Sequence, residues 1–321
     1  MSRNLLASGG VFVSLSALAL INPAAAATFD GDKISLRDVT GAVEIVTTSG
    51  DEIDVEIRQG KKYQTLDVRE KDGVVIITGQ KWRDDDKRDC CDNRITRDYN
   101  GRKGRKLTTG EPVDKEYFDD YPTIIIAMPV GGDVDFIDAW VLLEMDRLNG
   151  SLSFDSCYVY GQTGDLDEAI IGLVHGSRLV TGDINAGLEV DISGDADLMV
   201  GDVAMADVDI AGPGDVIIGD INGMFDVSIA GSGIVRATRL DGPMTARIAG
   251  SGGVAVKGGR ADRLRAIIDG SGGVYFGGEA RQPDLRLFGS SEVRMKSVSG
   301  RVTHHGGGDV YVGDEVFSDE D

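Results

Sequence analysis

The stretch "IAGSGGVAVKGG", Ile248–Gly259, puts a glycine turn directly behind an apolar residue and closes on a second glycine pair. Phosphate-binding loops and tight corners between strands share that look. The flanking sequence separates them. A dinucleotide loop occurs once, after a strand and before a helix. Here the turn recurs, in "VDISGDADLMVGD" from Val190, "VDIAGPGDVIIGD" from Val208, "VSIAGSGIVRATR" from Val227 and "ARIAGSGGVAVKG" from Ala246. It recurs again in "AIIDGSGGVYFGG" from Ala266, "LRLFGSSEVRMKS" from Leu285 and "VTHHGGGDVYVGD" from Val302. Another alternating run follows each time, so the stretch is a corner and not a phosphate cradle.

The shared glycines are Gly194, Gly212, Gly231, Gly250, Gly270, Gly289 and Gly306, about 17–20 residues apart. Such a short period is the mark of a solenoid. Each copy reads apolar-x-apolar, glycine, apolar-x-apolar, the period of half-buried strands. At about 3.3 Å per residue one copy traces roughly 60 Å, enough for a coil with several sides. One coil cannot bury its apolar face alone and depends on its neighbours. The register predicts inward columns Ile192, Ile210, Ile229, Ile248, Ile268 and Val235, Val254, Val274, with Ser232, Ser251 and Ser271 stacked at one corner. Weaker copies lie around Gly176 ("LVHGSRLVTGD") and from Leu152 ("LSFDSCYVYGQ").

Upstream, residues 33–57 alternate, Asp72-Gly73 inside "LDVREKDGVVIITG" signals a type I′ hairpin, and "TIIIAMP" from Thr123 reads as a strand ended by proline. Between them, residues 81–122 are dense in charges of both signs and form a surface insertion. No helical period appears after the first residues. The fold class is therefore all-β: a parallel β-solenoid over residues 28–313, with an N-terminal β segment, the charged insertion and an acidic tail at 314–321.

The first 27 residues read as an export signal, with Arg3 ahead of an apolar run from Leu5 to Ile21 and small residues at Ala24–Ala27. The mature chain then starts near Thr28, in the periplasm or at the cell surface of a bacterium. No other segment approaches the ~20 apolar residues of a membrane span. The chain's 54 acidic residues against 33 basic ones, a net charge of −21, exclude a nucleic-acid partner, whose phosphates need a Lys/Arg footprint. Three cysteines, Cys90, Cys91 and Cys157, are too few for a disulfide framework. A pairing of Cys157 with one of the other two is easier than the strained pairing of neighbours.

The segments "FDGDKISLRDVTGAVEIVTTSGDEIDVEI" (29–57) and "TIIIAMPVGGDVDF" (123–136), with the recurring "IAGSG-x-V", resemble the bacterial putative auto-transporter adhesin family with its head GIN domain. The similarity runs from about Phe29 to Gly313. It implies an exported, right-handed β-solenoid of the cell envelope with no established enzyme activity and no active site to carry over. The charged insertion with Cys90-Cys91 departs from that family's plain strand-turn pattern.

Three candidate chemistries remain. Asp183, Asp202 and Asp220 recur behind a glycine on successive coils, where like charges ~5 Å apart repel by about 1 kcal/mol in water. A calcium ion would relieve that repulsion, although the closely spaced GGxGxD repeat of calcium-binding rolls is absent. His304-His305 is the one histidine pair, yet alternation on a strand turns its members to opposite faces; His175 stands apart. A carbohydrate-active enzyme would need converging carboxylates in a groove with aromatic platforms, and the two tryptophans, Trp82 and Trp140, read as lying outside the regular coils. Charge is also sorted along the chain: residues 131–230 hold only Arg147 and Arg178 as bases, whereas 231–301 are rich in arginine. The sequence thus points to a non-enzymatic envelope scaffold that binds another envelope protein or a glycan, with no cofactor beyond a weak case for calcium.

Overall fold

The computed structural model describes residues 25–62, 65–79, 118–174 and 176–317. Residues 1–24 of the anticipated signal, Trp82, Cys90, Cys91, His175 and most of the charged insertion lie outside the described residues. The first strands are β1 (Ala25–Asp30), β2 (Lys33–Arg37), β3 (Thr40–Thr48), β4 (Glu52–Arg58), β5 (Asp67–Lys71), β6 (Val74–Thr78) and β7 (Thr123–Pro129). The coils proper begin with β8 (Asp133–Ile137), β9 (Trp140–Met145), β10 (Ser151–Ser156), β11 (Tyr158–Thr163), β12 (Leu166–Val174) and β13 (Arg178–Val180). They continue through β14 (Ile184–Ser193), β15 (Asp197–Val200), β16 (Val203–Gly212), β17 (Asp215–Ile221), β18 (Phe225–Gly231), β19 (Ile234–Asp241) and β20 (Met244–Gly250). Next come β21 (Gly253–Val256), β22 (Gly259–Ala261), β23 (Leu264–Gly270), β24 (Gly273–Ala280) and β25 (Pro283–Gly289). The last are β26 (Glu292–Val298), β27 (Thr303–Gly306), β28 (Asp309–Val312) and β29 (Glu315–Val316).

These strands stack as a parallel β-solenoid with coils of about 19 residues. One face pairs β8, β10, β12, β14, β16, β18, β20, β23, β25 and β27 in that order. A second face pairs β9, β11, β13, β15, β17, β19, β21, β24, β26 and β28. A short third side closes each coil and aligns Leu166, Ile184, Val203, Ile221 and Leu240.

Registers put like on like. Ile192, Ile210, Ile229, Ile248 and Ile268 form one column on the first face, and Val235, Val254 and Val274 one on the second. All eight are buried, each side chain contributing roughly 1.5–3 kcal/mol. A neighbouring column tapers from Phe136 and Phe154, whose rings stack at 4.5 Å, through Ile171, Val190, Val208 and Val227 to Ala246 and Ala266. The seven turn glycines have φ between 85° and 136°, conformations that side-chain-bearing residues rarely adopt. Ser232, Ser251 and Ser271 lie exposed beside them, as the register anticipates.

The ends of the stack are built differently. β2 and β3 form a coil that takes β8 and β9 on one side and β6 and β7 on the other. β4 then pairs antiparallel with β7 and β1, and β5 antiparallel with β6 around Asp72 and Gly73, both at positive φ. At the far end β29 folds back antiparallel on β28, so the first residues of the acidic tail belong to the last coil. Antiparallel strands thus terminate a parallel stack whose open edges would otherwise template pairing with other chains. The anticipated cleavage point falls within β1; Thr28–Asp30 would remain, opposite Asp54–Glu52, with the Thr28 hydroxyl donating to Asp54 Oδ1 at 2.6 Å.

One sequence expectation changes. Residues 133–145 form a regular coil, β8 and β9, although they lack the corner glycine; Asp138 takes the left-handed corner there with φ of 51°, as Asp38 does between β2 and β3 with φ of 52°. Aspartate tolerates that region better than most residues. Trp140 consequently lies on β9, inside a regular coil, and not outside the coils.

Candidate functional site

Outward residues of the first face carry the most sharply sorted charge. Alternation on β14, β16 and β18 puts Glu189, Asp207 and Asp226 in one column and Asp191 and Asp209 in the next. The same two columns continue on β20, β23 and β25 as Thr245, Arg265, Asp284 and as Arg247, Ile267, Arg286. In these two columns three coils therefore present five carboxylates, and the next three present three guanidiniums and one carboxylate; Asp269 adds a further carboxylate in the outward column beside them. Arg265 and Arg286 lie 3.7 and 3.8 Å from Asp284; among the described residues Arg247 makes no ion pair. The sequence showed the excess of each sign, but only the register shows which charges share this face.

Asp207 sits at the centre of the acidic half. Partial burial, followed by the charges of Asp209, Asp226 and Glu189, pushes its carboxyl above the usual aspartate range, against a weaker pull from Arg247. An acid raised on folding holds its proton more readily in the native state, so stability rises as pH falls through its folded pKa. Asp133 and Glu292 have the opposite sign. Burial raises Asp133, but hydrogen bonds from Lys33 and Ser151 outweigh it and hold the carboxyl low. The Arg294 hydrogen bond lowers Glu292. Their contributions are complete above the ordinary carboxylate range and are lost as pH falls through their lowered values. At low protein concentration Asp207→Asn should raise the melting temperature at neutral pH, by the equivalent of up to about 0.5 kcal/mol, the span of surface substitutions. The gain should vanish in acid, and a pH series of melts on the two proteins checks it.

The three aspartates proposed for calcium do stand in one column, but one carboxylate oxygen each of Asp183 and Asp202 is engaged by the backbone of the next coil. The backbone N–H of Asp183 donates to Asp165 Oδ1 at 3.1 Å, that of Asp202 to Asp183 Oδ1 at 2.8 Å, and that of Asp220 to Asp202 Oδ1 at 2.7 Å. Asp165 begins the ladder and was missed in the sequence because it precedes the strong repeats. Arg147 lies 3.6 Å from Asp165, and Arg239 is the register partner of Asp220, so a guanidinium stands at each end. Among the described residues no three His, Cys, Asp or Glu side chains are grouped to hold a metal ion. The ladder satisfies the corner's backbone donors without an ion, so a chelator should leave the melting temperature unchanged. A drop of several degrees would restore the calcium reading.

His304 and His305 separate as alternation requires: His304 continues the inward column below Leu285, and His305 the outward column below Arg286. They do not converge on a shared ligand. On the second face Trp140, Leu142, Tyr158 and Tyr160 point outward, and Phe118, at the end of the charged insertion, packs against them; the Trp140 and Tyr158 rings lie 5.4 Å apart. Beside this patch Cys157 is buried and disulfide-bonded. Its partner lies outside the described residues, and the chain's other cysteines are Cys90 and Cys91.

The basic half of the first face runs round a corner into an open groove of about 1220 Å³ whose lining includes Arg263, Arg281, Arg286, Arg301 and His305. Arg281 pairs with Asp262 at 3.3 Å; among the described residues Arg263 and Arg301 are in no ion pair.

No protein-family model matches the chain, and no curated protein does. Two solved structures are similar in path. One is of a "putative adhesin" from Parabacteroides distasonis ATCC 8503, with a TM-score of 0.42 and 16% identity over 89% of this chain and 97% of that one. The other is of a "putative lipid binding protein" from the same organism, with a TM-score of 0.37 and 14% identity over 90% of this chain and 96% of that one.

Proposed function

We propose that this protein is an exported, non-enzymatic interaction scaffold of the bacterial envelope, of the head GIN type that its motifs resemble, and that its contact surface is the charge-sorted first face. The observation that carries the reading is the segregation, in two outward columns of one sheet, of five carboxylates from three guanidiniums and a single carboxylate, Asp284, on the adjacent coils. A surface serving only solubility gains from interspersed signs, whereas large fields of single sign steer and orient a partner. The disulfide at Cys157 fits an oxidising compartment, and the Arg3-led apolar leader fits export.

One observation favours a carbohydrate-active enzyme: a raised carboxyl, Asp207, among other carboxyl groups, the arrangement of an acid–base pair. It lies on an open face, and the exposed ring of that face, Phe288, stands four coils away on β25, so the scaffold reading is preferred. The deciding experiment combines cell fractionation with capture of envelope components by the wild-type protein and by an Arg265→Asp/Arg286→Asp variant. The scaffold reading requires capture that the variant loses and that weakens with salt. Turnover of any member of a glycan panel, abolished by Asp207→Asn, would replace it with the enzyme.

A further inference from the structure

We infer that the first face is self-complementary and that its occupant is a second copy of this chain, docked antiparallel through a twofold axis; the inference rests on the scaffold reading above. Consider an axis lying between two such faces, parallel to the strands, and passing between β18 and β20. It preserves the columns and reverses the coil order, so β14 meets the partner's β25, β16 its β23 and β18 its β20. In the outward column that starts with Glu189, Asp207 then faces the partner's Arg265, whereas Glu189 faces the partner's Asp284, a carboxylate already flanked by Arg265 and Arg286 of its own chain. In the next column Asp191 faces the partner's Arg286, and Asp226 lies diagonally opposite the partner's Arg247. Symmetry makes each contact twice. This is the isologous geometry of C2 dimers, in which one patch serves both copies.

The apolar residues obey the same operation. A third outward column runs Ser193, Ala211, Ala230, Ala249, Asp269, Phe288. Phe288 is 51% exposed, an unusual position for a phenyl ring. The axis sets it over the partner's Ser193, beside the partner's Ala211, where small side chains leave room for the ring, and sets Ala230 over the partner's Ala249. The eight coils from β12 to β27, at about 4.8 Å spacing and with strands ~20 Å long, offer roughly 650 Å² per copy. About 1300 Å² in total lies above the ~1000 Å² that separates a specific interface from a chance contact. The crowding of carboxylates around Asp207, unfavourable in a lone chain, is what an opposed arginine relieves.

The test is sedimentation velocity of the purified protein over a range of concentrations at low and high ionic strength. Wild type should be dimeric at low salt and dissociate as salt rises. Two variants, Arg265→Asp/Arg286→Asp and Asp191→Arg/Asp207→Arg, each bring like charges together. Each should weaken self-association by roughly a hundredfold or more while still unfolding cooperatively as a folded solenoid, since all four positions face outward. An equimolar mixture of the two variants restores four opposite-charge contacts per dimer and should recover association as a heterodimer. A wild type that stays monomeric at low salt, or a mixture that fails to associate, overturns the inference. If wild type stays monomeric but captures another envelope component through Arg265 and Arg286, the second copy is the wrong occupant and the scaffold stands; if it captures nothing, both fall.

Discussion

Ile248→Asp should unfold the coils on either side of it. The side chain is 2% exposed and stacks between Ile229 and Ile268, so the substitution forfeits roughly 1.5–3 kcal/mol of aliphatic burial. It also buries a carboxylate with no partner, at an effective cost of several kcal/mol. Together these reach the whole stability of an ordinary domain, about 5–15 kcal/mol. A solenoid distributes that loss locally, because each coil contacts only its neighbours. Amide exchange should therefore lose protection first on β18, β20 and β23, while the Phe136–Phe154 end keeps its own. Ser251→Asp, three residues on at an exposed corner, should melt like wild type. Equal melting of the Ile248→Asp variant would mean that the column does not face inward.

That column was readable without coordinates because the repeat supplies its own alignment. Once the turn glycines are set one under another, period two assigns inward and outward positions from Val190 to Phe288, and the structure keeps that assignment; on the last coil the pairing slips by two residues, which puts Gly306 opposite Leu287 and leaves the inward–outward alternation intact. Legibility fails where the corner chemistry changes. Asp38 and Asp138 make the left-handed corner without glycine, which hid the β8–β9 coil and misplaced Trp140. The cap was legible in part: the Asp72-Gly73 turn marks the antiparallel hairpin of β5 and β6, but the antiparallel pairing of β4 with β7 and β1 leaves no mark in an alternating pattern. The functional surface was half legible. Counting charges along the chain finds the acidic and basic halves, yet Asp207 and Arg265 become parts of one face only through the register that joins β16 to β23. The Asp165–Asp220 ladder was seen as repulsion because the sequence gives the carboxylates and not the N–H groups they accept.

The second large effect should come from Gly231→Ala, and Gly233→Ala shows why. Both glycines stack on the previous coil. A Cβ at Gly231 would lie 2.7 Å from the Gly212 carbonyl oxygen, and one at Gly233 would lie 2.7 Å from that of Gly214 and 2.8 Å from Ile210 Cγ2. The crowding is thus nearly equal, and overpacking of this kind costs about 1–3 kcal/mol. Only Gly231 has a positive φ, 136°, in a region that glycine alone visits freely and that adds about 1–3 kcal/mol for any other residue. Gly231→Ala should therefore destabilise by roughly 2–6 kcal/mol, and the difference between the two variants should isolate the dihedral part. Gly258→Ala, where a Cβ meets nothing within 4 Å and φ is not positive, should be neutral or slightly stabilising through the unfolded chain. Denaturant melts of the three variants measure all of this. Equal losses at Gly231 and Gly233 would mean that stacking alone demands glycine at the corner, and that its backbone conformation costs alanine nothing there.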